Sequence, residues 1–303
     1  MNAHESISTP TAPLLVKADP NAPALIVTGA ETISIKSGTS FAGRNFDTDT
    51  RVLLPEKLEI GGDYYVSLDD DGCPHAELAQ GSPQSSDFAG FHFAPGGNAQ
   101  ARSGGDDIPA INPHSCWDLN FRPACADPSG MTCAVLPDGT KFWYDIYKLN
   151  RDHIANGTSA FGAIIANGVA TPKNLNGKGY FKKLDYETAV TVMAHHGKQL
   201  LSYDEFRIAA FGVTENSVAP KQPKLTGLDA ARTSATGGMQ MTGNLWDWGR
   251  DGDPDKPRAS LFGGSWLCGG DAGSRCAYVA YDWPDLSGGN IGARGRSDHL
   301  QLA

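Results

Sequence analysis

The residues of this 303-residue chain best equipped for chemistry fall into a few short groups. Cys268 and Cys276 are two thiols in one glycine-rich stretch. Redox or nucleophilic work by such a pair needs a thiolate, and a thiolate needs a cationic or basic neighbour. Arg275 adjoins Cys276 in sequence but would not serve if it turned into the scaffold. His195-His196 suggests a metal, yet adjacent helical residues diverge by about 100° and cannot easily close on one ion. No HxxxH or HExxH pattern accompanies them, so a role at a helix end, facing the C-terminal dipole, is expected. Asp298-His299 imitates two members of a triad without a serine in a nucleophile context; pinning a C-terminal strand is the expected role. Arg250-Asp251-Gly252-Asp253-Pro254-Asp255 places carboxylates at alternate positions, as oxygen ligation of calcium requires, but has the composition of an exposed turn. Asp69-Asp70-Asp71-Gly72 lacks the closing Glu and flanking helices of an EF-hand and reads as a hairpin tip. Cys116, Cys125 and Cys133 lie nine and eight residues apart, match no common zinc spacing and read as buried free thiols. No catalytic residue, metal or cofactor is expected, calcium being the one ion left open.

The elements that must position these groups point to short strands and long loops. With 36 glycines, 19 prolines and 40% hydrophobic residues, the chain is not a helical bundle. Its net charge of −9, with no basic cluster, argues against a nucleic-acid partner. Six cysteines without regular spacing are not a disulfide framework. The N-terminus has no signal-peptide pattern, and no apolar run nears the length of a membrane span. A cytoplasmically made particle component or a soluble intracellular product is therefore expected, without membrane insertion. Residues 1–12 read as a flexible tail. Ala24-Leu25-Ile26-Val27, Thr32-Ile33-Ser34-Ile35, Arg51-Val52-Leu53-Leu54 and Tyr64-Tyr65-Val66-Ser67 alternate with turn signals, the spacing of an antiparallel sandwich. The glycine-rich loop at 95–109 is expected either to fold over a neighbouring subunit or to be mobile. Phe142-Trp143-Tyr144-Asp145-Ile146-Tyr147 reads as a buried strand opening a second domain. Asp185 N-caps a helix through Tyr186, Val190 and Met193 that stops at Gly197. Ser202 and Glu205 form a capping box for a second helix over 203–210, ended by Gly212.

Residues 261–300 form the stretch around which the rest is organised. Rigid words, Phe262-Gly263-Gly264, Trp266, Gly273-Ser274-Arg275, Pro284 and Gly292-Ala293-Arg294-Gly295, interleave with residues that follow no period of two or 3.6. Stiffly held surface loops of this kind usually carry binding residues.

With Gly243-Asn244-Leu245-Trp246-Asp247-Trp248 and Asn290-Ile291-Gly292-Ala293-Arg294, these words resemble the C-type-lectin-like fold. Formylglycine-generating enzymes and the variable proteins of diversity-generating retroelements share that fold. The ending from Ile291 to Leu300 is similar to the phage tropism-determinant branch of the variable proteins; the enzymes typically have GFR there. Gly90-Phe91-His92-Phe93-Ala94-Pro95-Gly96-Gly97-Asn98, Trp117-Asp118, Phe121-Arg122-Pro123, His195-His196-Gly197-Lys198 and Tyr203-Asp204-Glu205-Phe206 extend the similarity over nearly the whole chain from about Leu14.

The resemblance implies an α+β chain: an N-terminal antiparallel β-sandwich or intermediate domain over 13–134, then a C-type-lectin-like variable domain over 135–303. It implies a homotrimeric receptor-binding protein of a phage or prophage tail that attaches to a host surface protein or glycan and is not an enzyme. A bacterial surface adhesin and a formylglycine-generating enzyme are the alternatives. Cys268 falls at neither position of the enzymes' reactive pair, and Cys276 matches a non-catalytic position. The EPN or QPD words of calcium-dependent lectins are absent. The chain is expected to start after the β-prism of the phage group, leaving its mode of attachment to a particle open.

In such proteins template adenines are mutated during copying, and the resulting codons do not yield Trp, Met, Gln, Lys or Glu. Between Ser265 and Ile291 the last four are absent, and Trp occurs only at 266 and 283. Alignment of the rigid words implies diversified, solvent-facing positions at Ser265, Leu267, Cys268 or Gly269, Asp271 and Tyr278. Val279, Tyr281, Asp282, Leu286, Gly288 and Asn290 follow. Trp246, Trp248, Phe262, Trp266, Arg275, Pro284 and Arg294 are expected to hold the backbone. Trp283 is left open.

Overall fold

The computed structural model describes residues 14–252, 259–278 and 283–301. They form a mostly β chain with few, short helices. Asp63–Leu68 pairs antiparallel with Pro74–Leu78 and with Ala89–Ala94. The hairpin tip is the acidic turn, where Gly72 takes φ 76° and Asp69 Oδ1 accepts from Asp71 N–H and Cys73 N–H at 3.0 and 2.7 Å. Leu25–Gly29, Thr32–Ile35 and Thr50–Arg51 form a second sheet. Leu15–Val16, Thr39–Phe41 and Arg44–Phe46 form a third. Ile33, Ile35, Val66, Phe88, Phe91 and Phe93 fill one core between these elements. The expected strand at 51–54 ends after Arg51: Val52 is buried, whereas Leu53 is exposed and makes only an isolated bridge to His75.

Met131–Val135 and Lys141–Asp145 form a hairpin that Gly295–Asp298 and then Gln199–Leu200 extend. A boundary at 134/135 therefore falls inside the strand Met131–Val135. Trp143 Nε1–H donates to His299 Nδ1 at 3.0 Å, so His299 pins the C-terminal strand as expected. The helix Tyr186–His195 is capped by Asp185, which accepts from Thr188 N–H at 3.0 Å. Its buried face is Thr188, Ala189, Val192 and Met193. Val190, expected inside, is exposed because the contacting face is rotated from the one its apolar residues marked. The capping box of Ser202 and Glu205 starts Tyr203–Ala209. The carboxylate of Glu205 also binds Arg296, and its Oε1 accepts from Arg250 Nη2 at 3.0 Å. One residue thereby starts a helix and anchors it to the C-terminal strand.

The backbone of the loop at 95–109 is hydrogen-bonded to distant residues of the same chain. Ala99 N–H donates to Ser234 O at 3.1 Å, Gly104 N–H to Gly212 O at 3.0 Å, and Gly105 N–H to Ala230 O at 2.8 Å. It is stitched onto the C-terminal half of its own chain. Cys116, Cys125 and Cys133 are buried and free, and burial pushes the Cys116 and Cys133 thiols up to about 12. Among the described residues no helix is long and apolar enough to cross a membrane.

Candidate binding face

A small four-stranded sheet carries the stretch identified above. Ala277–Tyr278 pairs with Ser260–Phe262, which pairs with Trp246–Gly249; that strand pairs in parallel with Ile291–Gly292. The sequence between the second and first of these, 263–276, is one loop, and 283–290 leads into the strand at the opposite edge. Both segments join a sheet whose inner face is closed: Trp248, Leu261, Phe262 and Ile291 are buried. The Phe262 ring lies 5.3 Å from Phe206 and 5.6 Å from Tyr203 between centroids.

Two charges and a counter-charge lock this sheet to the strand at 141–145. The Asp247 carboxylate sits between Lys148, at 2.8 Å, and Arg294 Nε, at 3.6 Å, with all three side chains out of water. Arg294 also donates to the carbonyls of Asp145, Ile146 and Met239, each at 2.7 Å. Lys148 Nζ donates to Leu245 O at 3.0 Å. Desolvation brings the Lys148 ammonium down to about 8 even with Asp247 opposing that change. Pairing and the carbonyls together make such burial tolerable.

The 263–276 loop is drawn closed at its neck. Gly263 N–H donates to Cys276 O at 2.8 Å, and Gly273 N–H to Gly263 O at 3.2 Å. Gly263 and Gly264 take φ of 86° and 77°, a left-handed pair that other residues adopt only with strain. A Cβ at Gly264 would lie 2.9 Å from Ala272, so the neck also lacks room for one. Beyond it the chain opens outward. Leu267 is 63% exposed, Gly269 and Asp271 are exposed, and Cys268 is half-buried. A Cβ added at Gly270 would meet nothing within 4 Å.

Not every expected position behaves this way. Ser265 is fully buried. Its Oγ lies 3.5 Å from Cys268 Sγ, and its neighbour in space is Asn244 through an isolated bridge. It belongs to the frame, because it sits at the neck where the loop has not yet left the protein. Leu286 packs against the core that contains Trp248 and Ile291, so it is partly frame as well. Gly288 and Asn290 are half-buried and bonded through their carbonyls to Gly168 N–H and Trp246 N–H, each at 2.9 Å. Tyr278 is in the edge strand, opposite Leu261. Val279, Tyr281 and Asp282 lie outside the described residues.

Among the expected frame residues, Trp248, Phe262 and Arg294 are buried. Trp246, Trp266 and Pro284 are half-buried. Pro284 O accepts from Tyr186 N–H at 3.0 Å, fixing its segment to the helix start. Arg275 departs from expectation: it is exposed, and among the described residues only its carbonyl is held, by Tyr203 Oη–H at 3.1 Å. Trp283, beside Pro284, is 50% exposed.

The chemistry weighed for other groups resolves by geometry. Burial pushes the Cys276 thiol up to about 11, so at neutral pH it is not a thiolate. His196 meets His153, not His195, in a hydrogen bond: Nδ1 of His153 and Nε2 of His196 are 2.8 Å apart. His153 Nε2–H donates to Lys173 O at 2.8 Å, which leaves Nδ1 as the acceptor and His196 as the donor. Among the described residues no cluster of three or more His, Cys, Asp or Glu side chains is arranged to hold a metal. Asp251 accepts from Tyr203 N–H and is thus an added helix cap. Asp253 and Asp255 lie outside the described residues.

The geometry defines a class: a β scaffold with a locked inner face that presents long loops from a single small sheet. A family profile described as Mtd second domain matches residues 23–118. The tail fiber receptor-binding protein of Bordetella phage BPP-1 is 36% identical over 329 aligned residues, covering 95% of this chain and 85% of that protein. The solved Major Tropism Determinant M1 and U1 variants each superpose with a TM-score of 0.87 at 36% identity, over 95% of this chain and 86% of theirs. The P3c variant does so at 0.86. The chain belongs to the major tropism determinant family. These relatives are receptor-binding proteins and not enzymes, in keeping with the non-enzymatic reading of the sequence.

Proposed function

We propose that the chain is the receptor-binding protein of a phage or prophage tail, carried on the virion, which attaches it to a bacterial host. The observation that supports this best is the division within one loop: its neck and sheet are buried and locked, while Leu267, Gly269 and Asp271 stand in solvent. A fixed frame under interchangeable side chains is the logic of an antibody paratope. In this reading the chain is α+β, with an N-terminal antiparallel β-sandwich ending before Met131 and a C-type-lectin-like domain after it. A retroelement diversifies Leu267, Cys268, Gly269, Asp271 and Tyr278, and the later positions Val279, Tyr281, Asp282, Leu286, Gly288 and Asn290. Ser265, being buried, is the position least suited to diversification.

The ligand is a host surface protein or glycan, and the working form is a homotrimer, whose multivalency turns a weak single site into strong attachment. The exposed side chains of Phe161, Ile164 and Leu225, the last two facing each other in a bridge, supply apolar surface for contact between copies.

The test is deep sequencing of the codons for residues 261–300 across many clones of one population, with the flanking DNA. Variation confined to the outward positions, beside a near-copy repeat and a reverse-transcriptase gene, is the expected result. An invariant stretch with no repeat nearby would refute diversification. Failure of the purified protein to compete with virions for host adsorption would refute attachment.

A further inference from the structure

One wall of a cleft beside the loop comes from residues outside the diversified stretch. Arg102, from the glycine-rich loop, with Glu215 and Asn216, faces Asp271, Gly273 and Arg275 across about 530 Å³. Glu215 is the fixed post of this cleft. Its Oε1 accepts from Arg102 Nη1 at 2.9 Å and from the Ser274 hydroxyl, and its Oε2 accepts from Ser274 N–H at 2.9 Å. A Cβ at Gly273 would collide with the same carboxylate. The Arg102 guanidinium lies 4.4 Å over the Phe211 ring, which fixes its plane, and only its Nη1 is engaged in these bonds. The Glu215 charge is therefore already answered. The side chains of Arg275 and Asp271, both exposed, make no hydrogen bond or ion pair with any described residue.

We propose that this cleft is a fixed carboxylate-binding subsite at the edge of the ligand-binding face, and that residue 271 gates it. The gating part rests on the reading of Asp271 as a diversified position. A guanidinium presents paired N–H donors that match the two oxygens of a carboxylate. Arg275 offers a whole fork, and Arg102 offers the donors that Glu215 leaves over. With Glu215 and Arg102 paired off, the balance among the described residues is set by Arg275 against Asp271. In this chain the Asp271 carboxylate repels an incoming anion; a neutral residue at 271 leaves the cleft positive. The constant wall thus supplies attraction to an acidic group of the receptor, and the variable residue decides whether it is used. The acidic group is a carboxylate, borne either by a surface protein or by an acidic sugar.

The experiment titrates the full chain, D271N, and D271N combined with Arg275→Gln, at low ionic strength, with two probes: a tri-aspartate peptide and an oligogalacturonate. D271N is expected to bind one of them about two- to fivefold more tightly than the unaltered chain, the range of an exposed charge pair. Arg275→Gln is expected to abolish the gain. Both side chains are exposed and bonded to no described residue, so an unchanged melting temperature confirms that each variant is folded. The probe that responds identifies the source of the carboxylate. No gain in D271N with either probe, or a gain that survives Arg275→Gln, would overturn the proposal. The assay contains no host cell, so a failure of host adsorption would sink the attachment reading while leaving this result intact. An invariant codon at 271 would likewise remove the gate but not the subsite.

Discussion

Replacing Asp247 by Asn tests the lock beneath the binding face. Asp247 is the only carboxylate that the described ion pairs place on Lys148 and Arg294, and none of the three side chains is exposed beyond 1%. Asn keeps the shape and removes the charge, leaving two buried cations facing each other. Removal of one partner from a buried ionic group costs about 3–5 kcal/mol, a large part of the ~5–15 kcal/mol that holds a typical domain together. Arg294 keeps its three carbonyls, so the loss falls on Lys148. In the native chain the Lys148 ammonium titrates at about 8, against an ordinary value of 10.5. Below pH 8 the folded and unfolded chains both hold this proton, and the lysine contributes no slope to stability. Above pH 8 the folded chain releases it first, so stability gains with rising pH until 10.5 is passed. Asp247 is a partner that raises the lysine pKa, so its loss moves the folded value lower still. The D247N chain should therefore gain stability with pH already between 7 and 8, where the native lysine is silent, at up to about 1.4 kcal/mol per pH unit. Urea unfolding of both chains at pH 6.5, 7.5 and 8.5, followed by tryptophan fluorescence, measures the difference. A loss below about 1 kcal/mol at pH 7, or parallel pH profiles for the two chains, would refute the argument that this triad locks the sheet.

Other consequences are as direct. Phe262→Ala should cost about 3–5 kcal/mol by thermal or chemical unfolding, as for other fully buried aromatics, whereas Leu267→Ala should stay within about 0.5 kcal/mol; equal losses would mean that the loop is not separable from its frame. Gly270→Ser should fold normally because the added Cβ meets open space, while Gly249→Ser should not, because its Cβ would strike the Phe262 ring; soluble yield and melting temperature distinguish the two. Desolvation holds His153 and His196 below 6.5, His196 at about 4. The unfolded chain takes up protons that the folded pair refuses, so stability should fall as pH drops from about 6.5 to about 4. His153→Gln should flatten that part of the profile, and an unchanged slope in this variant would exclude the pair as its source.

Much of the scaffold was legible because its signals are local. The acidic turn at 69–72, the cap at Asp185 and the capping box at 202–205 each depend on a few adjacent residues, and each is present as expected. Errors entered where a neighbour distant in sequence decides. Val190 has the apolar character of a core residue, but the elements that pack on its helix contact Ala189, Val192 and Met193 instead. The strand expected at 51–54 stops early although Thr32–Ile35 runs on beside it, because Leu53 leaves that strand and bridges to His75 of another sheet. The glycine-rich loop gave no local sign that Ser234, Ala230 and Gly212 would supply its partners.

The same division runs through the binding face. The resemblance to a known family implied that Trp248, Phe262 and Arg294 are frame and that the chain binds and does not catalyse; the sequence by itself determined that a loop-rich stretch lies between rigid words. Left-handed glycines, caps and turn residues carry such information in their own stereochemistry. Only the tertiary structure decided that Ser265 is inside and Arg275 outside, that Asp247 is held between two buried cations, and that Arg102 and Glu215 reach the loop from more than 50 residues away in sequence. Exposure and charge pairing are properties of what lies across the chain, and the side chain that answers a charge or covers a surface need not leave a mark near it in sequence.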